Sequence, residues 1–283
     1  MSKKLNRRDF IKASSVVTGG MVLGASSISA ESYSRILGAN DRINFAVAGL
    51  RSRGNAHRDA IKLCDNATLT HICDVDKRYE QEFSNKVKEQ FGKRPIAIKD
   101  YRRLVEDKNI DVITIATPEH WHAPMSIMAL QNGKHVYVEK PCAHNPREGE
   151  LLVEAQKRYG KLVQMGNQQR SSKHTIKIIK RIKEGLIGNP YYGKAWYFNK
   201  RGEIGVGKIV DVPDYLDWDL WQGPAPRTKY RDNVHPYNWH WFWLWGTGET
   251  LNNGTHEVDL CRWAMGLDYP DKVTSNGGRY HYD

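Results

Sequence analysis

Five short apolar runs, each followed by a helix-like stretch, constrain this chain more than any other feature. From residue 41 onward they read INFAVAG, ATLTHICDVD, DVITIAT, HVYVEK and KLVQMGNQQ. The segments between them are helix-like: a stretch to Leu63, a long amphipathic segment through Phe91, then APMSIMALQNG and PREGELLVEAQKRYG, with Pro146 suited to a first turn. Continuous apolar strands separated by helices belong to a parallel sheet covered on both faces. The predicted architecture is therefore doubly wound α/β, an arrangement that binds nucleotides.

The pattern changes further on. SSKHTIKIIKRIKEG predicts one more helix, capped by Ser171 or Ser172 and stopped at Gly185. Beyond Gly188, YYGKAWYFNK and KIVDV look like strands, and Gly, Pro and Trp replace the α/β rhythm. These changes predict a nucleotide-binding domain over 31–165 and a second, α+β domain over 166–283. The chain stops at GGRYHYD, within sheet-forming sequence, so the second domain is expected to be incomplete at its C-terminal end.

Residues 1–30 read as a processing segment. A basic start, an uncharged Ser- and Gly-rich middle and small residues before Glu31 form a three-part secretory signal. Asn6-Arg7-Arg8-Asp9-Phe10-Ile11-Lys12 follows the twin-arginine pattern, which implies the twin-arginine export machinery as a partner and a periplasmic location. The whole chain carries a formal charge of +11, of which about +7 lies beyond this segment. Its lysines alternate with acids, as in KRYEQEFSNKVKEQ, so a solvated surface is expected and no nucleic-acid partner. Cys64, Cys73, Cys142 and Cys261 lack the paired spacing of a zinc site and are expected to be small buried residues; no metal is expected.

The first strand runs into Gly49-Leu50-Arg51-Ser52-Arg53-Gly54. This keeps the first and third glycines of the dinucleotide fingerprint G-x-G-x-x-G and puts Arg51 in place of the second. The loop becomes looser, but gains a cation near a pyrophosphate; Arg53 is a further candidate contact. An ordinary strand–helix turn would look the same in isolation. Asp74, at the end of the second strand, can accept both ribose hydroxyls and would repel a 2′-phosphate, which favours NAD. It could equally cap the following helix. The third strand ends in Ala116-Thr117-Pro118-Glu119-His120-Trp121-His122 and the fourth in Glu139-Lys140-Pro141. Ligands bind at such carboxyl ends of parallel strands.

The glycine loop, Asp74, ATPEHWH and VEKP, in this order, resemble the Gfo/Idh/MocA oxidoreductases (glucose–fructose oxidoreductase and inositol dehydrogenase). The resemblance runs from about residue 43 to 283. It implies a Rossmann domain followed by a domain with a large open, mostly antiparallel sheet. It also implies oxidation or reduction of secondary alcohols on sugars and cyclitols, and association into homo-oligomers. By resemblance, Lys140 lies between nicotinamide and substrate, and Thr117, Pro118, Trp121, His122, Glu139 and Asn167 line the cofactor. A second landmark, GGG-x-x-x-D-x-G-x-H-x-x-D, is similar to Gly246–Asp259: His256 and Asp259 match, and Asn252 stands where many members have Asp.

Hydride transfer from an alcohol carbon also requires loss of the hydroxyl proton. His256 has a suitable pKa range for the base, and Lys140 can hydrogen-bond a developing alkoxide. Asn252 can orient substrate but cannot take a proton. Seven of nine tryptophans fall between residues 196 and 245, and four alternate in NWHWFWLWG. As a strand this run would put all four on one side, to serve a sugar pocket or a packed core. Arg170, His235, Tyr237 and His240 are candidate substrate contacts. The expected activity is an NAD-dependent oxidoreductase acting on a secondary hydroxyl of a sugar, with a tightly held cofactor. Two alternatives stand beside it. One is a redox-neutral glycosidase or lyase using transient hydroxyl oxidation; exported relatives within this family include NAD-dependent α-N-acetylgalactosaminidases, and GLRSRGNAH and Thr255–His256 are similar to theirs. The other is a non-catalytic sugar-binding protein on a vestigial fold.

Overall fold

A computed structural model describes residues 42–198 and 201–278. The export signal over 1–30 lies outside the described residues. Six strands form the sheet: β1 (Ile43–Ala48), β2 (Ala67–Cys73), β3 (Ile96–Ile98), β4 (Val112–Ile115), β5 (His135–Glu139) and β6 (Val163–Gly166). Their order is β3-β2-β1-β4-β5-β6 and all are parallel. The winding reverses between β1 and β4, so a crevice opens there at the carboxyl ends.

Helices α1 (Ser52–Lys62), α2 (Lys77–Phe91), α3 (Tyr101–Glu106), α4 (His122–Gln131) and α5 (Pro146–Tyr159) cover the sheet. On one face Val47, Leu69 and Ile72 meet Ile61, Phe83 and Val87. On the other, Ala48, Ile113, Ile115 and Val138 meet Leu104, Ala129, Leu130 and Leu152. This two-sided burial is why the strands read as continuous apolar runs. Asp76 and Asn145 cap α2 and α5 with their side chains, and Gly92 and Gly160 end those helices in the left-handed conformation. Strand β3 was not anticipated: it is three residues long, pairs only with β2, and leaves Ile96 58% exposed, so it lacks the long apolar run of the others.

From Ile43 onward the chain clusters as one compact unit. Beyond α6 (Lys173–Lys183) come α7 (Trp218–Gln222), α8 (Gly248–Asn252) and α9 (Gly254–Met265). These later segments are tied to the carboxyl edge of the sheet by backbone bonds from Lys77 to Tyr215, Asp217 to Val75 and His120 to Trp245. A third core gathers Trp218, Trp221, Tyr230, Trp239 and Trp245.

Three expectations are corrected here. The open antiparallel sheet does not form among the described residues: Tyr191, Trp196 and Phe198 are exposed, and 208–212 makes only the isolated bridge Ile209↔Arg231. A strand needs a neighbour about 4.8 Å away along its length, and around Ile209 the backbone bonds reach only Tyr230 and Asp232, too short a pairing for a sheet. The tryptophan run is a 3-10 turn at Asn238–Trp241 followed by further turns, and it leaves Trp243 outside the core that holds Trp239 and Trp245. Gly246 explains the folding back: a Cβ there would lie 2.6 Å from the His240 backbone. The cysteines are unpaired, and Cys64, just past α1, is exposed rather than buried.

Candidate active site

The loop after β1 needs its two glycines for space. Gly49 has φ +87°, and a Cβ on it would lie 2.5 Å from the Ala116 carbonyl oxygen at the end of β4. A Cβ on Gly54 would lie 2.0 Å from the Gly49 oxygen. Between them Arg51 has φ −81°, which any L-residue adopts, so the missing second glycine costs no backbone strain. Its guanidinium donates to the Pro236 carbonyl at 3.1 Å and lies 5.9 Å from the Tyr237 ring centroid. Helix α1 starts with no side-chain cap and no acid in its first turn. Its first N–H groups thus stay open to an anion, favoured by the helix dipole.

Asp74 follows β2 and accepts from the amides of Leu50 (2.8 Å) and Asp76 (2.9 Å). Burial raises its carboxyl to about 6 against the pull of those two amides. It is an anion at neutral pH, with lone pairs left for hydroxyl groups. The open helix start, the glycine spacing and this acid on one crevice fit a dinucleotide.

The turn after β4 forms the adjoining wall. His122 is buried, with Nδ1 2.6 Å from the Pro141 carbonyl and Nε2 2.8 Å from the Thr117 carbonyl, so it joins the ends of β4 and β5. Burial lowers its pKa while the two carbonyls oppose that shift. Trp121 Nε1 donates to the Trp221 carbonyl, which also sits 3.0 Å from His120 Nε2. Glu119 is buried and accepts from the Thr247 amide (2.7 Å) and hydroxyl (2.6 Å). Burial raises its pKa.

Strand β5 delivers Glu139 and Lys140. Glu139 accepts from Arg53 at 2.9 Å and lies 2.9 Å from His57 Nε2. Burial pushes its pKa up, but His57 and Arg53 outweigh that and hold it at about 2. Lys140 donates to Asn252 Oδ1 at 2.9 Å and also to the Asn252 carbonyl. Burial lowers the lysine's pKa, opposed by Glu119 and Glu139. His256, at the start of α9, places Nδ1 3.3 Å from Asn167 Oδ1; burial, then Lys140, lowers its pKa.

One cleft of about 570 Å³ runs from the Gly49 loop past Asp74 to Lys140, Asn252 and His256. Arg51, Arg53, Thr117, Pro118, Trp121, His122 and Glu139 line it, as do His235, Tyr237 and His240. Gly54 lies beneath the loop. Asn167 reaches the site through His256. Arg170 stands apart: its guanidinium makes a bidentate pair with Asp259 (2.8 and 2.7 Å) and lies over the Trp263 ring, outside the cleft wall. Burial brings His235 and His240 down to about 4, so both are neutral at pH 7. Three site groups escaped the sequence reading: His57, Asp76 and Glu119. Asp76 caps α2, holds Arg78 bidentately and lies 3.5 Å from His235 Nε2. His57 and Glu119 both lay within quoted motifs, but their partners are distant in sequence.

The strand order, glycine loop and Asp74 define a dinucleotide-binding Rossmann domain. Residues 43–167 match the GFO_IDH_MocA family, described as an oxidoreductase family with an NAD-binding Rossmann fold. This segment is similar to the NAD-binding domain of that family, and its cofactor is NAD. Among curated proteins, a glycosyl hydrolase family 109 protein 1 of Shewanella sp. (strain ANA-3) is 26% identical over 215 residues, covering 69% of this chain and 46% of that protein. An alpha-N-acetylgalactosaminidase of Shewanella oneidensis is 25% identical over 213 residues, covering 69% and 46%. The chain spans about half the length of the curated relatives it matches. An NAD-binding oxidoreductase from Klebsiella pneumoniae has a similar structure, with TM-score 0.56, 24% identity, and 80% of this chain and 54% of that one covered. That likeness concerns the fold.

Proposed function

We propose that the chain is an NAD-dependent oxidoreductase acting on a secondary hydroxyl of a sugar or sugar derivative, with the cofactor tightly held. The observation that carries this reading is Lys140, fixed by both acceptors of Asn252 in the cleft that begins at the Gly49 loop. When bound, NAD supplies a hydride acceptor and donor. The residues of the chain do the rest. Lys140 donates a hydrogen bond to the reacting oxygen and stabilises negative charge developing there. His256, neutral at pH 7 because burial lowers its pKa, takes the hydroxyl proton. Asn252 holds the ammonium in place but exchanges no proton. Glu139, anionic under His57 and Arg53, keeps a negative charge beside Lys140 and favours its protonated form.

A redox-neutral glycosidase is the second reading, favoured by the relatives named as family 109 glycosyl hydrolases and as an alpha-N-acetylgalactosaminidase. In it, transient oxidation of a ring hydroxyl would acidify the neighbouring C–H, the glycosidic group would leave as its alcohol, water would add at the vacated carbon, and reduction would restore the hydroxyl. The pair Arg7-Arg8 supports export of the folded protein to the periplasm, where a captive cofactor would suit either reading.

The deciding experiment incubates purified protein with aryl glycosides and free sugars, first without added cofactor and then with NAD⁺. NADH formation from free sugar and added NAD⁺ supports the oxidoreductase. Glycoside cleavage with no net NADH supports the glycosidase. Lys140→Ala is expected to lower turnover by about 10²–10⁴-fold while leaving NAD bound; full activity in this variant would remove Lys140 from the mechanism.

A further inference from the structure

The strand order sets where each half of the cofactor lies. Lys140 follows β5, the glycine loop follows β1 and Asp74 follows β2, and all three border one cleft. A dinucleotide that meets all three therefore runs along the carboxyl edge of the sheet, with its adenosine toward β2 and β3. Val75, Lys99 and Arg102 border that end of the cleft from the sheet side. The facing side comes from residues 217–227, outside the segment 43–167 that matches the family: Asp219, Trp221 and Arg227 line the same cleft.

This facing wall is fixed to three strand ends. Asp217 uses both carboxylate oxygens: Oδ1 accepts from the Leu220 amide at 3.0 Å and starts α7, and Oδ2 accepts from Lys99, just past β3, at 2.7 Å. The Asp217 amide donates to the Val75 carbonyl, just past β2, at 3.0 Å. Near the other end of α7, the Trp221 carbonyl accepts from Trp121 Nε1 and lies 3.0 Å from His120 Nε2, both in the turn after β4. Arg227 follows α7. Its Nε lies 3.0 Å from Asp219 Oδ1, and its Nη1 donates to the Gly223 carbonyl at 2.9 Å. A guanidinium held by its edge keeps its flat faces available, and such a face stacks favourably on an aromatic ring.

We propose that residues 217–227 are the outer wall of the adenosine site, and that the Arg227 guanidinium, pinned by Asp219, stacks on the adenine ring. The cofactor site then extends beyond the nucleotide-binding domain, and α7 helps to retain NAD by covering the half of the molecule that takes no part in hydride transfer.

The inference rests on NAD as the cofactor and on neither of the reactions proposed above, so it fails separately from them. On the full chain, dissociation constants for NAD, ADP-ribose and nicotinamide mononucleotide are measured by competition. In Arg227→Ala the constants for NAD and ADP-ribose are expected to rise about tenfold, while that for nicotinamide mononucleotide stays as in wild type. An unchanged ADP-ribose constant, or an equal rise for nicotinamide mononucleotide, overturns the proposal. Lys99→Met cuts the tie between Asp217 and the end of β3 at an exposed position, and is the second variant should Arg227→Ala not fold. Its bound NAD is expected to leave about threefold faster in stopped-flow displacement, and an unchanged release rate overturns the proposal as well.

Discussion

Arg51 crosses the cofactor cleft to the Pro236 carbonyl, 3.1 Å away, and so links the loop after β1 to the turn that carries His235 and Tyr237. A position that usually holds a glycine against pyrophosphate therefore holds a strap over the crevice instead. A charged hydrogen bond of this kind contributes roughly 1.5–3 kcal/mol. Arg51→Gly restores the fingerprint and cuts the strap, so bound NAD is expected to leave at least about tenfold faster. Stopped-flow displacement of the bound nucleotide measures this; an unchanged release rate would show that the strap holds nothing.

Asp74 makes NAD binding pH-dependent. Its folded pKa, raised by burial to about 6, lies above the ordinary 3.8. Above pH 6 the carboxylate accepts hydroxyl groups; below it the protonated group loses much of that capacity. NAD affinity is expected to weaken as pH falls through 6, and Asp74→Asn to bind weakly and lose this dependence. The same shift has a cost in folding. A raised carboxyl pKa means that the fold prefers the protonated form, so this residue's contribution to stability declines as pH rises from 3.8 to 6. Titration calorimetry from pH 5 to 8 checks the binding arm.

Gly223 has φ +51°, and a Cβ there would fall 2.0 Å from Trp121 Cζ2. The indole cannot yield freely, because its Nε1 is bonded to the Trp221 carbonyl. Gly223→Ala combines left-handed strain with overpacking and is expected to destabilise the protein by roughly 3 kcal/mol. The urea midpoint reads this directly, and a loss below about 0.5 kcal/mol would show that the Trp121 wall is soft.

The nucleotide-binding half was largely legible in the sequence because its rules are local. Strands buried on both faces must be apolar, and loops that touch neighbouring backbone must carry glycine, as at Gly49 and Gly54. What escaped depends on distant parts of the chain. His57 meets Glu139 across 82 residues, and Thr247 meets Glu119 across 128. Arg170 was misplaced for the same reason: Asp259, 89 residues away, claims its guanidinium. The alternating tryptophans suggested a strand because period-2 spacing cannot register the close approach of Gly246 to His240, which folds the run into turns.

The most direct test of the whole account is the nucleotide content of the protein purified without added cofactor. Heat denaturation followed by chromatography of the supernatant should release NAD, close to one per chain. Release of no nucleotide, together with no binding of added NAD⁺ by the folded protein, would contradict the account at its base.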